Sequence, residues 1–460
     1  MSAADEPNGR RRLLQAAAEL VAVAEEIEAV SVRTTAALTR ELRPRALLRA
    51  APRFRPQRRL LRALTRRAGL GIAFSGGPLG RPISRMSGLA GPGRLAVHVL
   101  VLSLRLRIAA VERAHPELTR DPVLQRLVTA ISEDRDVAAA RALRALFRDR
   151  GAQDALSAIA PMFGEILALR ALLDENPFND AVGWAMATGR GVMNTDPITG
   201  ITTRVMSAMD RGAGVARPTE ATPEEAVSLR TGDSIVAVLR NIQVVGTTGR
   251  MLIQSVLGPD ETIRYVVQAP GMRPGGPRND SPQDLVGAFR NTVLRSSPYT
   301  GALKDAIEQF GVPEQAEIAL IGHSAGGSAV MNLAQDPEFC GRYRVTHVIA
   351  AGSPIDFKVP ADSRTWIASI TNQHDLIPVL DGQGSGSCFD LHPTWYTVDY
   401  ADATHRFPLC HSVAQYAANL ADDLPEARAH IDAQLTPYHG SLIRSQLYLL
   451  LDHTNPREPR

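Results

Sequence analysis

Gly322-His323-Ser324-Ala325-Gly326 follows the apolar run Ile318–Ile321 and leads into "GSAVMNLA", which ends at Ala334. A serine hydroxyl becomes a nucleophile only when a base takes its proton and a carboxylate orients that base. Candidates for both lie downstream, in the order Ser, acid, His that accompanies a Gly-x-Ser-x-Gly turn. Asp375, in "NQHDLIPVLDG", stands just past the strand-like run "TWIASIT", with Asp381 farther into the loop as the weaker choice. His392, His405 and His411 come next. His411 fronts the periodic segment "HSVAQYAANL", which would hold its imidazole on a rigid element, and is preferred to His405 in the loop "DATHRFPLCHS". The expected chemistry is nucleophilic catalysis through Ser324, Asp375 and His411.

The strand–turn–helix setting gives the serine motif its weight. The turn forces strained backbone at Ser324, and Gly322 and Gly326 remove side chains where helix and strand must meet. Ala325 then offers its backbone N–H as half of an oxyanion hole, at a helix end with partial positive charge. Ser328, one turn on, reads as packing. Each residue also has a plain reading: a structural glycine turn, an Asp turn ahead of Pro378, or a solvated or capping histidine. The histidines and the three cysteines, Cys340, Cys388 and Cys410, lack zinc-ligand spacing, so neither a metal nor any other cofactor is expected.

Two unlike halves must position these residues. From about 10 to 210 the pattern is helical: Leu13, Ala17, Leu20, Ala24 and Ile27 recur at helical spacing toward a stop at Pro44. Two further helical stretches are separated by Gly151, and the second ends before Pro177. "GAGVARPTEATPEE" reads as a linker, which sets the domains at 1–215 and 216–460. Beyond it "NIQVVG", "RMLIQSVLG" and "TIRYVVQAPG" read as strands, with "GPDE" as a turn. Helix and strand then alternate through "RVTHVIAAG" and "TWIASIT", the pattern of an α/β fold with a mostly parallel sheet behind a helical N-terminal domain.

The 460 residues, 44% hydrophobic and 22% charged, suit an ordinary soluble protein of two or three domains. Glutamates interrupt the only signal-peptide-like start, and His98, Arg105 and Arg107 interrupt the most apolar window, so the expectation is a cytoplasmic protein, with leaderless export open. The net charge of +3 hides a concentration of eleven arginines between Arg40 and Arg67. That stretch has two readings: a solvated helix, or an interfacial segment making peripheral contact with anionic membrane. Nucleic-acid binding is not expected, because Phe54 is the only aromatic residue there.

The run from Glu261 to Leu420 resembles the α/β-hydrolase fold, and within it the lipase branch, including the class 3 (fungal-lipase-like) family. "LIGHSAGG" resembles that family's nucleophile elbow, "VIAAGSPIDF" its Gly-Ser-Pro strand, and "NQHDLIPVL" its catalytic-Asp segment. The resemblance implies Ser324 as nucleophile, Asp375 as acid and His411 as base, acting on a lipid or small ester. It also implies a second oxyanion N–H after the early strand. Here that strand leads into "QAPGMRPGG", where the family's Ser or Thr is missing and Gly271 or Met272 would serve. Thioester hydrolysis or acyl transfer would use the same triad, and a hydrolase fold without activity is the non-catalytic alternative. Candidate lids are the loop 270–282 and "DGQGSGSCFD".

Overall fold

The computed structural model describes residues 5–41, 94–133, 135–173, 177–191, 210, 212–229, 233–273, 280–384, 386–402 and 404–453. The arginine stretch beyond Glu41, the Gly-rich segment after it, and residues 274–279 of the first candidate lid lie outside these residues. The chain divides into two compact units, but not at one point: Gly382–Phe389 belongs with the first unit, and Ala152–Pro161 with the second.

The first unit is helical. Helix Asp5–Glu41 lies along Arg94–Ala114, and Val21, Ala24, Leu100 and Leu104 share a core with Leu167 and Leu169 of helix Phe163–Leu173. The expected break at Gly151 is present: its φ of +77° and ψ of 163° are non-helical and divide the stretch Asp136–Ile159 into two helices. Among the described residues Gln153–Leu173 is long and apolar enough to cross a membrane, yet most of it is buried and the 3-10 turn Ala160–Met162 breaks it. Such a segment is what a core helix also looks like. Arg107 is buried here, paired with Glu165 at 2.8 Å, and donates to the carbonyls of Gly386 and Ala187. The candidate lid "DGQGSGSCFD" is therefore, from Gly382 to Phe389, a segment built into the helical unit.

The second unit is mixed α/β around an eight-stranded sheet. Its strands are β1 (Val215–Thr219), β2 (Arg250–Leu257), β3 (Ile263–Ala269), β4 (Glu317–His323), β5 (Arg344–Ala351), β6 (Trp366–Asn372), β7 (Tyr396–Tyr400) and β8 (Ser441–Leu451). Their order is β1-β8-β2-β3-β4-β5-β6-β7. From β3 to β7 neighbours run parallel; β8 runs antiparallel to β1 and β2, and β2 to β3. Apolar cores fill both faces. Helices Pro298–Phe310 and Ala325–Ala334 cover one, and Ile235–Val245 and Val413–Asp422 the other. Burial on both sides explains why Ile318–Ile321 of β4 and Val348–Ala351 of β5 read as continuous apolar runs.

Two expectations fail here. The expected linker contains strand β1 and the start of helix Pro223–Ser228. Pro218 is tolerated in β1 because the strand forms the sheet's edge, and Gly214 packs so closely that a Cβ would lie 1.7 Å from the Pro298 carbonyl oxygen. "NIQVVG" is not a strand but the end of helix Ile235–Val245. Ser234 caps that helix by accepting from the Ala237 N–H at 3.1 Å, and Gly246 ends it with φ of +64°.

Candidate active site

Strand β4 ends at His323, and helix Ala325–Ala334 starts two residues later, so Ser324 alone makes the corner. Its φ of +56° and ψ of −127° lie outside the regions open to ordinary side chains, at a cost of roughly 1–3 kcal/mol. Packing holds that conformation. The Ser324 N–H donates to the Ala351 carbonyl at 2.9 Å. A Cβ on Gly322 would lie 2.5 Å from the Gly326 carbonyl carbon, and one on Gly326 would lie 2.1 Å from the Ala269 oxygen. Glycine is thus required at both positions so that the helix can fold back against β3 and β4. Ser328 packs as expected, donating to the Pro354 carbonyl at 3.0 Å.

The strained corner presents its hydroxyl to one histidine. His411 Nε2 lies 2.8 Å from Ser324 Oγ, and His411 Nδ1 lies 2.7 Å from Asp375 Oδ2. A carboxylate only accepts, so Nδ1 carries the proton and Nε2 keeps its lone pair toward the serine. Asp375 is fully buried in the turn after β6. Its N–H donates to the Asn372 carbonyl at 2.9 Å, and its Oδ1 accepts from the Ile377 N–H at 3.0 Å. That turn is the physical content of the N-x-x-D spacing. His411 does not begin the helix itself; it closes the 3-10 turn Leu409–His411, and Ser412 caps helix Val413–Asp422.

Two neighbours complete the arrangement. Tyr416 donates its hydroxyl to Asp375 Oδ2 at 2.9 Å and accepts from the Asn372 N–H at 3.2 Å. Burial, reinforced by the Asp375 charge, pushes the Tyr416 phenol well above its usual value, so it remains a donor. His323 Nε2 lies 2.7 Å from the His411 carbonyl, so that nitrogen carries hydrogen, and the two rings sit 4.8 Å apart. Burial first, and the adjacent His411 second, push His323 down to about 3 and keep it neutral. Neither role was legible in the sequence. Tyr416 reads as a core aromatic on an amphipathic helix, and His323 as an elbow filler.

The other candidates are placed elsewhere. His405 Nδ1 lies 2.6 Å from Asp402 Oδ2. His392 Nε2 lies 2.5 Å from the Asp356 carbonyl, and its ring stacks on Trp395 at 3.7 Å. Asp381 accepts from the Asp356 N–H at 3.0 Å. Of the oxyanion candidates, Ala325 occupies the first helical position, where no intrahelical acceptor exists for its N–H. Gly271 lies against Ser324, since a Cβ there would be 2.9 Å from Ser324 Cβ and 3.4 Å from its Oγ, while Met272 is partly exposed. Cys340, Cys388 and Cys410 are free thiols. Compared with protein-family models, with curated proteins and with solved structures, the chain finds no match.

Proposed function

We propose that the protein is a serine hydrolase of the α/β-hydrolase type that cleaves carboxylic esters through an acyl-enzyme on Ser324. The observation that carries this reading is the unbroken hydrogen-bonded line Asp375–His411–Ser324, ending on a serine whose backbone is held in a strained corner. His411 Nε2 takes the hydroxyl proton as Ser324 Oγ attacks the ester carbonyl, and Asp375 steadies the imidazolium that forms. The Ala325 N–H and one from Gly271 or Met272 receive the oxyanion, typically worth about 3–4 kcal/mol per donor. His411 then returns the proton to the departing alkoxide. Water, activated by the same imidazole, releases the carboxylic acid.

A lipid ester is the substrate class that the lipase-like segments favour, and no cofactor enters the chemistry. The test is covalent labelling with a fluorophosphonate, followed by peptide mapping, beside an ester series of increasing acyl length. The label should map to Ser324, and Ser324→Ala should lose both label and turnover while melting near wild type. Full ester turnover by Ser324→Ala would end the proposal.

A further inference from the structure

We infer that Tyr299 and Gln283 are positioning residues that hold the turn Pro270–Arg273 against Ser324 and thereby set the second oxyanion donor. This rests on the serine-hydrolase reading and deepens it. The turn leaves the end of β3 and passes the nucleophile at Gly271, with no room even for a methyl group. One end is tied to the Tyr299 side chain and the other to the Gln283 backbone, and the Gln283 amide links the two. The Tyr299 hydroxyl donates to the Pro270 carbonyl at 2.6 Å and accepts from Gln283 Nε2 at 2.7 Å. At the other end the Arg273 N–H donates to the Gln283 carbonyl at 2.7 Å. Tyr299 and Gln283 are both fully buried.

A peptide unit is a rigid plane. Fixing the Pro270 carbonyl direction therefore fixes the Gly271 N–H, which lies on the opposite edge of the same plane. The bond also polarises that peptide, making its N–H a stronger donor. Helix Ala325–Ala334 also closes on the turn, since a Cβ at Gly326 would lie 2.4 Å from the Pro270 oxygen. The Tyr299 phenol is pushed above its ordinary value by burial, so it stays a donor through the working pH range. A buried tyrosine needs some partner for its hydroxyl. What marks this one is that it and its own donor, Gln283, converge on the two ends of the turn beside the nucleophile.

Tyr299→Phe removes only the hydroxyl. The expected result is a kcat for oxygen esters lower by roughly 10- to 100-fold, with KM and melting temperature near wild type. The decisive readout is the matched thionoester, whose sulfur accepts hydrogen bonds poorly and so gains little from oxyanion donors. Its turnover should fall much less, so the oxygen-to-thiono rate ratio should drop in Tyr299→Phe. Gln283→Met, which keeps the bulk and loses the amide, should lower the same ratio and serves if Tyr299→Phe melts early. An unchanged ratio in a folded variant, with turnover still dependent on Ser324, overturns the brace alone. Wild-type turnover that survives Ser324→Ala overturns the brace together with the reading it rests on.

Discussion

Among the described residues the second unit holds two aspartate–histidine pairs of nearly the same length, Asp375–His411 and Asp402–His405, and of these only the first reaches a serine hydroxyl. Asp375 and His411 meet at 2.7 Å; Asp402 and His405 meet at 2.6 Å. Both pairs use Nδ1, and both aspartates are buried. They differ in what lies on the far side of the ring and around the carboxylate. The far nitrogen of His411 faces Ser324, whereas His405 is about a third exposed. Asp375 takes its hydrogen bonds from His411, Tyr416 and the Ile377 N–H. Asp402 accepts from Thr404, Gln415 and Asn419 as well as His405, so it works as a local loop fastener. An Asp–His contact is therefore a common structural device, and its partner defines the chemistry.

The sharpest way to break this comparison is to remove each imidazole in turn. His411→Ala should lower kcat/KM for esters on the order of 10⁴-fold or more, because the serine loses its base. His405→Ala should leave the rate within about threefold, since no reacting group depends on it. The reverse ranking would make His405 the base and put the observed His411 contact outside the mechanism.

Exchanging the two carboxylates for amides comes next in size. Asp375→Asn keeps the shape but presents an N–H where His411 Nδ1 needs an acceptor, which favours the wrong tautomer. A loss of about 10³- to 10⁴-fold follows, read as kcat/KM at neutral pH. Asp402→Asn should change the rate little. Comparable small losses for both would show that the acid acting on His411 lies elsewhere.

The hydrogen-bonded line Asp375–His411–Ser324 was legible because such chemistry restricts residue types and their places at strand ends. Strands β2 to β6 announced themselves as apolar runs, and the two glycines beside Ser324 carried their steric reason openly. The rest failed for local causes. In β8, Ser441 to Ser445 is exposed on both faces while the second half is buried or partly buried, so no single period runs through it. Strand β1 carries Pro218, which imitates a linker unless the edge position is known. "NIQVVG" is as apolar as a strand, and only the Ser234 cap well upstream marks the helix. Tyr416, Tyr299 and Gln283 meet partners 16 to 44 residues away in the chain, which no one-dimensional spacing records.

The smallest effect separates the two pairs by stability instead of rate. Burial by itself would raise the Asp402 carboxyl, but hydrogen bonds from Thr404, His405 and Asn419 outweigh it and hold the group near 2. A carboxylate depressed in the folded state contributes stability that is fully present above its unfolded value, about 3.9, and is lost as pH falls through the folded value. The window is thus from about pH 4 down to about pH 2, and the contribution on the order of 2 kcal/mol. Asp402→Asn should melt a few degrees below wild type at pH 7, and the gap should narrow as the pH falls toward 2. Thermal melts of both proteins across that range are the measurement. A gap that stays constant with pH would mean that Asp402 fastens its loop through shape and neutral hydrogen bonds, leaving its charge without a part.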